Sequence, residues 1–595
     1  MTALGIPATN PNPAPPAIGL KLNHVYGSSQ KYVRQTARYN CHGNILYTAG
    51  TMGVELDPVT RQQKFFRNSH TDAILSMDIF HASGTVTLQP VFSRDRRTKQ
   101  AEHSSAEFYV YEGSETLVAT GEAGTAPRIC VWESESMELL KTLSGFHKVA
   151  VTSLAFTRNG EHLASIGGDE MHSLAVYNWQ RGELLSTMEV TAKKILCLAY
   201  FPEQPGLLLT AGHQHIVFWE TMPSGHIPIK PKLDLKKGAN FAVVAVAFAS
   251  NKRMIAGTEA GDLWLWNRGT SLSVMVKFGE GSVRGAHPGG ITCLHWGRCE
   301  VLFSGGKDGS LKVWDEGLNL LATFTGHFTS SLDPSVRSVA SSGDSSKVLL
   351  GTRGNELFEV EVDEINLHED GTRTFVFGKI LHNERPIVVG HYGHEAWGLA
   401  AHPLDPCTFA TCGDDCTLRV WHSRRKRQIN ITEDGAIPTF ARAIAFSPDG
   451  RKVAIGLGGK VAGRRVYGYK KHAGKVLVFH TSTLEVDATA HDAREMISAV
   501  RYSPSGDTLA AASWDGGVYA YAHSNGRLVL LHTVNAGGGG AVLSFDFSFD
   551  GKALRTNDQA GHVRYWGLGS NGGAPIDSKE AVRKILWATQ TCPLR

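Results

Sequence analysis

No two of the nine cysteines stand in a CxxC spacing, and their number is odd. That excludes a secreted disulfide scaffold and suits a reducing compartment. No run approaches the ~18 consecutive apolar residues that carry a helix across a bilayer, so no membrane role is expected. The opening MTALGIPATNPNPAPPAIG has neither a basic n-region nor an apolar core and does not read as a signal peptide. Five prolines from Pro7 to Pro16 predict a disordered, Pro-rich tail over residues 1–19. No heptads precede Lys21, so no coiled-coil self-assembly is expected. Charge of one sign is missing too. With 60 Lys and Arg against 56 Asp and Glu, the net +4 offers nucleic acid no global field, and any electrostatic partner must be met by local patches.

What is present in quantity is glycine, 64 of 595 residues. Many glycines with few long apolar periods point to many tight turns and so to many short strands. Self-similarity sharpens this. The segment SGGKDGSLKVWD (Ser304–Asp315) has relatives ending at Trp132, Tyr177, Trp219, Trp266, Val360, Trp421, Phe479, Tyr521 and Trp566, mostly 42 to 48 residues apart and about 60 apart twice. That spacing is the period of a four-stranded propeller blade, ~40–45 residues. LKVW alternates apolar and polar positions as a half-buried strand must, and each unit has an upstream strand such as ITCLHW or AIAFSPDG. Turns such as PDG, PSG and KDG supply positive φ. One small sheet cannot bury both faces, so such sheets stack around an axis until a ring closes.

Counting Leu56 as the first mark, eleven marks exceed the ~4–8 blades of one ring. The fold class is therefore all-β: two tandem β-propellers, with the junction in the long interval between Val360 and Trp421. A second regularity supports the blades. Ser304 and Asp308 precede Trp314 by ten and six residues, and Thr411 and Asp415 hold the same offsets from Trp421. His287 and His394 lie upstream, in the loops that open those units. Asp orienting His, with a hydroxyl linking His to the indole N–H, makes a buried network with paired polar groups. The same residue types also compose a Ser-His-Asp triad. Recurrence in separate units is what architecture needs and an active site does not, so no enzyme is expected.

KLNHVYGSSQKYV, GNILYTAGTMGVELDP and NSHTDAILSMDI, followed by GFHKVAVTSLAF, GAHPGGITCLHW, GHEAWGLAAHP and ILWATQTCPL, resemble the echinoderm microtubule-associated protein-like family in order along nearly the whole chain after residue 20. The resemblance implies a hydrophobic motif built into a pair of tandem WD-repeat propellers, and it divides the chain into a tail at 1–19, the motif at 20–55, a first propeller at 56–375 and a second at 376–595. It implies that Val25, Tyr26, Ile45, Leu46 and Tyr47 are buried at the seam between the rings. His24 stands where the family usually has tryptophan, and the stretch from Gln89 to Gly113 interrupts the first blade. Family members usually continue through further strands past the position of Arg595, which leaves three expectations open: the second ring closes with fewer strands, something else supplies them, or the sequence as given is cut short.

The resemblance also implies a non-enzymatic microtubule-associated protein of the cytoplasm and cytoskeleton. Its expected partners are α/β-tubulin or the microtubule lattice and other axonemal or cytoskeletal proteins, in a stable array such as the ciliary or flagellar axoneme. A general WD-repeat scaffold that never touches tubulin is the alternative. Three basic clusters are candidate contacts for an acidic surface: Arg94, Arg96 and Arg97; Arg424, Arg425, Lys426 and Arg427; and Arg464, Arg465, Lys470 and Lys471. Each also reads as an ordinary solvated loop. No aromatic platform or recognition helix accompanies them, so nucleic acid is not expected. His402, Cys407, Cys412 and Cys416 match no usual zinc spacing, and no metal is expected. GLGSNG lacks a surrounding βαβ unit and GLGGKV fails the Walker pattern, so no cofactor is expected either.

Overall fold

The computed structural model describes residues 21–592 except 32, 83–91, 95–100, 104–114, 192, 203–205, 221–240, 250–252, 267–281, 298–299, 326–332, 368–372, 393–394, 460–468, 525, 537–539 and 570–571. Eleven antiparallel sheets of three or four strands follow one another along these residues, with one short hairpin of Phe92–Arg94 and Ala101–His103 inserted in the second. The first sheet holds β1 (Ala37–Tyr39), β2 (Ile45–Ala49), β3 (Met52–Leu56) and β4 (Gln63–Phe66). Sheets at 74–143, 151–188, 195–220, 243–283, 291–324 and 336–380 complete the first ring. The ring closes where β1 lies against Val336–Ser341, the first strand of the seventh sheet.

This closure relocates part of the expected seam motif. Ile45, Leu46 and Tyr47 form β2, in the middle of the first sheet; Leu46 faces away from the seam, while Ile45 and Tyr47 share a cluster with Val25, Ile387 and Val388. The reason is the period of two along a strand. Ile45 and Tyr47 point to the seventh sheet, packing with Ala340, Leu349 and Leu357, while Leu46 points to the second, against Met77, Val118 and Trp132. There Phe66 stacks on Trp132 with centroids 4.7 Å apart and planes 4° apart, a geometry worth about 1 kcal/mol beyond area burial. The stretch expected to precede the first ring as a separate motif thus supplies its closing sheet. The seventh sheet runs on to Ile380, so the division between the units falls past residue 375.

The second unit contains sheets at 396–431, 441–490, 497–535 and 542–575. Apolar clusters join each to the next. The turn SPDG shows why glycine recurs at the hairpins: Ser447 Oγ donates to Asp449 at 2.6 Å and Gly450 takes φ +71°. A Cβ there would stand 2.2 Å from the His402 ring. On the outer flank of this unit, the first strand of the eighth sheet leaves Trp397 53% and Leu399 72% exposed.

At its other flank, residues 586–592 run beside Val542–Phe547, with Phe549 N donating to Leu586 O at 2.7 Å and Ala588 N to Phe547 O at 2.9 Å. The segment takes the place of a next sheet's first strand. Ser76 Oγ and Ser498 Oγ each donate to the carbonyl opening the neighbouring sheet, at Val151 (2.9 Å) and Val542 (2.5 Å), and Ser544 Oγ does the same to Thr591 at 3.4 Å.

Asp546 holds this segment. Its carboxylate accepts from Arg555 Nε at 2.9 Å, Thr591 N at 3.0 Å, Cys592 N at 3.0 Å and the Thr589 hydroxyl. Burial alone would raise the carboxyl, but these donors hold it down at about 2. Replacing Asp546 with Asn is expected to cost roughly 3 kcal/mol in urea unfolding, the order seen when one partner of a buried charge pair is removed. In the unaltered chain this contribution is present above the unfolded value of 3.8 and fades as pH falls towards about 2.

Candidate functional site

The buried hydroxyl–indole bond recurs around both rings. Trp132 Nε1 donates to Thr120 (3.2 Å), Trp219 to Thr210 (2.8 Å), Trp314 to Ser304 (2.8 Å), Trp421 to Thr411 (2.7 Å) and Trp566 to Thr556 (3.0 Å). In the sixth sheet His287 Nε2 meets Ser304 at 2.7 Å and Nδ1 meets Asp308 at 3.2 Å. Sequence reasoning missed the sets at Thr120, Thr210 and Thr556. Thr556 keeps the ten-residue offset to Trp566 and was legible. Thr120 and Thr210 stand twelve and nine residues from their indoles, and Glu122 replaces aspartate beside His70. A further hydroxyl–histidine pair, His147 and Ser165 at 2.7 Å, lies in the third sheet.

In the eighth sheet the network's histidine is His391, not His394. His391 Nε2 meets Thr411 at 2.7 Å and Nδ1 meets Asp415 at 2.9 Å, while His394 lies outside the described residues. The offset of seventeen that separates His287 from Ser304 points to His394. But the hairpin after the first strand is two residues longer here, with Ala401 facing Phe409 where Trp296 faces Leu302, and the loop before that strand is one residue longer, five from His391 to Ala396 against four from His287 to Ile291. The true offset is twenty. Arg419, 1% exposed, completes this set by donating to Thr417 at 3.1 Å and standing 3.4 Å from Asp415.

These groups extend to the seam between the rings. Tyr26 packs 4.9 Å from the Trp421 ring and 5.5 Å from Phe409, and His24 meets it edge-on at 4.6 Å. Val25 N donates to Gln63 Oε1 at 2.8 Å, and Gln63 Nε2 donates back to Val25 O and to the Tyr47 hydroxyl. Lys31 N donates to Asn355 Oδ1 at 2.8 Å, and Asn355 Nδ2 donates to His391 O at 3.1 Å. One chain of contacts therefore runs from the unique N-terminal stretch through the first ring into the second. Gly27 (φ +96°) crosses Gly390 so closely that a Cβ on Gly390 would lie 2.4 Å from Gly27 Cα.

Beside the seam lies a cleft of about 700 Å³. Its wall includes His382, Asn383 and Glu384, three consecutive residues in the left-handed region, with φ near 60°. That conformation costs roughly 1–2 kcal/mol per residue. What holds it is buried Glu359, which meets His382 Nε2 at 2.5 Å and accepts from the Tyr39 hydroxyl at 2.7 Å. Arg61, Arg385, Arg425, Lys426 and Arg427 line the same cleft. Arg61 Nη1 donates to Ile387 O at 2.8 Å, and Lys426 Nζ reaches Arg61 O at 3.4 Å.

The structure thus brings one predicted basic cluster, residues 424–427, to the seam. Arg424, Arg425 and Arg427 are exposed. Arg96, Arg97, Arg464 and Arg465 lie outside the described residues, as do the side chains of Arg94 and Lys470; Lys471 is exposed. Cys412 is buried in an apolar cluster, and burial pushes its thiol up to about 12, which disfavours the thiolate a metal would need.

Two family models match the chain: one described as the echinoderm microtubule-associated protein first beta-propeller, over residues 62–360, and one as its second beta-propeller, over 396–595. Among curated proteins, echinoderm microtubule-associated protein-like 1 of Rattus norvegicus is 28% identical over 530 residues, 87% of this chain and 59% of that protein. Echinoderm microtubule-associated protein-like 2 of Homo sapiens is 26% identical, over 97% of this chain and 78% of its own length. The 77 kDa echinoderm microtubule-associated protein of Strongylocentrotus purpuratus is 26% identical, over 97% and 74%. The chain spans about three-fifths of the length of the first of these relatives.

Tyr26→Ala is expected to loosen the seam without unfolding either ring, read as about tenfold faster proteolysis between residues 381 and 395. Acid should weaken the fold. Burial lowers His147 to about 4 and His295 to about 3, from 6.5. Their neutral forms favour the folded state above pH 6.5, and that contribution is lost as pH falls towards 4, at up to ~1.4 kcal/mol per unit for each group. A midpoint of thermal unfolding that stays level from pH 7 to 4.5 would contradict this assignment.

Proposed function

The chain belongs to the echinoderm microtubule-associated protein family, and from that premise we propose that it is a non-enzymatic microtubule-binding protein. Two joined rings present basic loops to the acidic surface of tubulin. The observation carrying this reading is the exposed turn Arg424–Arg427, held rigidly at the seam by the strands on either side of it. A rigid support lowers the ordering cost of binding. The curated relatives carry microtubule association in their names. The basic loops at residues 94–97 and 464–471 are further candidate contacts.

The binding is electrostatic, so it weakens with salt. Individually weak contacts add up on a lattice that repeats them. We place the protein in the cytoplasm on the cytoskeleton, in a stable array such as a ciliary or flagellar axoneme, among other axonemal or cytoskeletal proteins. The recurring His–hydroxyl–indole sets support the non-enzymatic reading, because their partners are spent on holding indoles.

The chain should pellet with polymerised tubulin at low salt and be released as salt rises. Removal of tubulin's acidic tails should weaken it, and the triple variant R424E/R425E/R427E should bind about tenfold more weakly. A chain that stays in the supernatant at low salt would rule the reading out and favour a scaffold working through the propeller faces alone.

A further inference from the structure

We propose that the cleft at the seam is a binding site for an acidic peptide segment in extended conformation, with Arg61, Arg385, Arg425, Lys426 and Arg427 meeting its carboxylates. The ligand class stands on the cleft itself; only its connection to tubulin rests on the function proposed above.

Charge is the first argument. Five cations come together in one concavity from three separate segments of a chain whose net charge is only +4. Among the described residues none of the five has a carboxylate at ion-pair distance. Glu384 is the one acidic residue in the lining. The nearby Glu359 is buried and already bonded to His382 and Tyr39. Arg61 and Lys426 are held by backbone carbonyls; Glu359 acts on Arg61 from beneath the wall, but Arg427 and burial oppose it and hold the Arg61 guanidinium below its ordinary value. Like charges kept together in a partly desolvated groove repel, and an anionic ligand relieves that repulsion. His24, on the same wall, is lowered to about 4 by burial and by Lys426 and Arg61, in keeping with a positive potential there.

Shape and strain point the same way. The cleft volume of about 700 Å³ suits a ligand of several residues and far exceeds one phosphate group. The strand Arg427–Ile431 borders it and is the outermost strand of its sheet, so one backbone edge is open to an added extended segment. The left-handed turn at 382–384 leads directly into Arg385, and strained backbone concentrates where a protein holds a ligand. A nucleic-acid strand fits less well. It would need a free aromatic face to stack on, and Tyr26, the aromatic residue lining the cleft, is already packed on Phe409 and Trp421.

The test is a titration of fluorescein-labelled oligoglutamate peptide into the full chain at low salt, followed by anisotropy. Saturable binding is expected, weakened about tenfold in R385E/R425E and changed less than about twofold in R181E/R527E, an equal charge change on exposed arginines of distant sheets. Thermal unfolding of each variant should match the parent, as all four side chains are exposed. Equal losses in both double variants would overturn the proposal, because the attraction would then be diffuse. So would absence of saturation, or displacement of the peptide by a lower concentration of oligothymidylate of equal length. Peptide binding without microtubule pelleting would leave the cleft standing and remove the microtubule function. Pelleting without peptide binding would do the reverse.

Discussion

Tyr26 wedged against Trp421 is the contact on which the two-ring body depends. The wedge works because Trp421 cannot turn away: its indole is tied to Thr411, Thr411 to His391, and His391 to Asp415. The backbone carbonyl of the same His391 takes Asn355, whose other end holds Lys31. Aromatic packing and polar pairing thus close on each other, and neither could be replaced alone. An aliphatic residue at 421 would deprive Thr411 of its indole donor inside the protein, where a lost buried partner costs ~1–3 kcal/mol. A side chain at Gly27 or Gly390 would force the backbones apart before Tyr26 could seat.

The same device explains why a protein with catalytic-looking side chains need not be catalytic. Histidine, hydroxyl and acid recur beneath one indole after another. In the eighth sheet burial would raise Asp415, but His391, Arg419 and Thr417 hold it well below the usual carboxylate range. A hydroxyl committed to an indole on one side and an imidazole on the other has no reach towards a substrate. The set makes rigidity, and rigidity is what the seam and its cleft draw on. The left-handed turn at 382–384 persists because Glu359 and Tyr39 over-determine it from the first ring.

Joining the rings also decides where the charge goes. The turn at 424–427 belongs to the second ring and Arg61 to the first, and they meet because the wedge brings the hairpin after Trp421 alongside the loop before β4. A basic groove arises in a nearly neutral chain from placement, not from composition. This basic groove and the joint between the two units are therefore one region.

The repeats, the strand content, the division into two propeller units, the set at Trp314 and the Thr411, Asp415 and Trp421 members of the next were legible along the chain, because a strand's period of two and a hairpin's turn residues are local properties. The uniqueness of the opening stretch was legible too; Tyr26 packs against Trp421 and Phe409 while staying half-buried. Three things belonged to the tertiary structure alone. Ile45, Leu46 and Tyr47 close the first ring, since only the folded chain decides which free sheet edge a lone set of strands completes. His391 replaces His394, since a longer loop and hairpin shift the geometric partner with no mark in the residue types. Arg61 and Arg385, isolated in sequence, join Arg425–Arg427 in one cleft, since charges distant along the chain become neighbours only when both rings are in place.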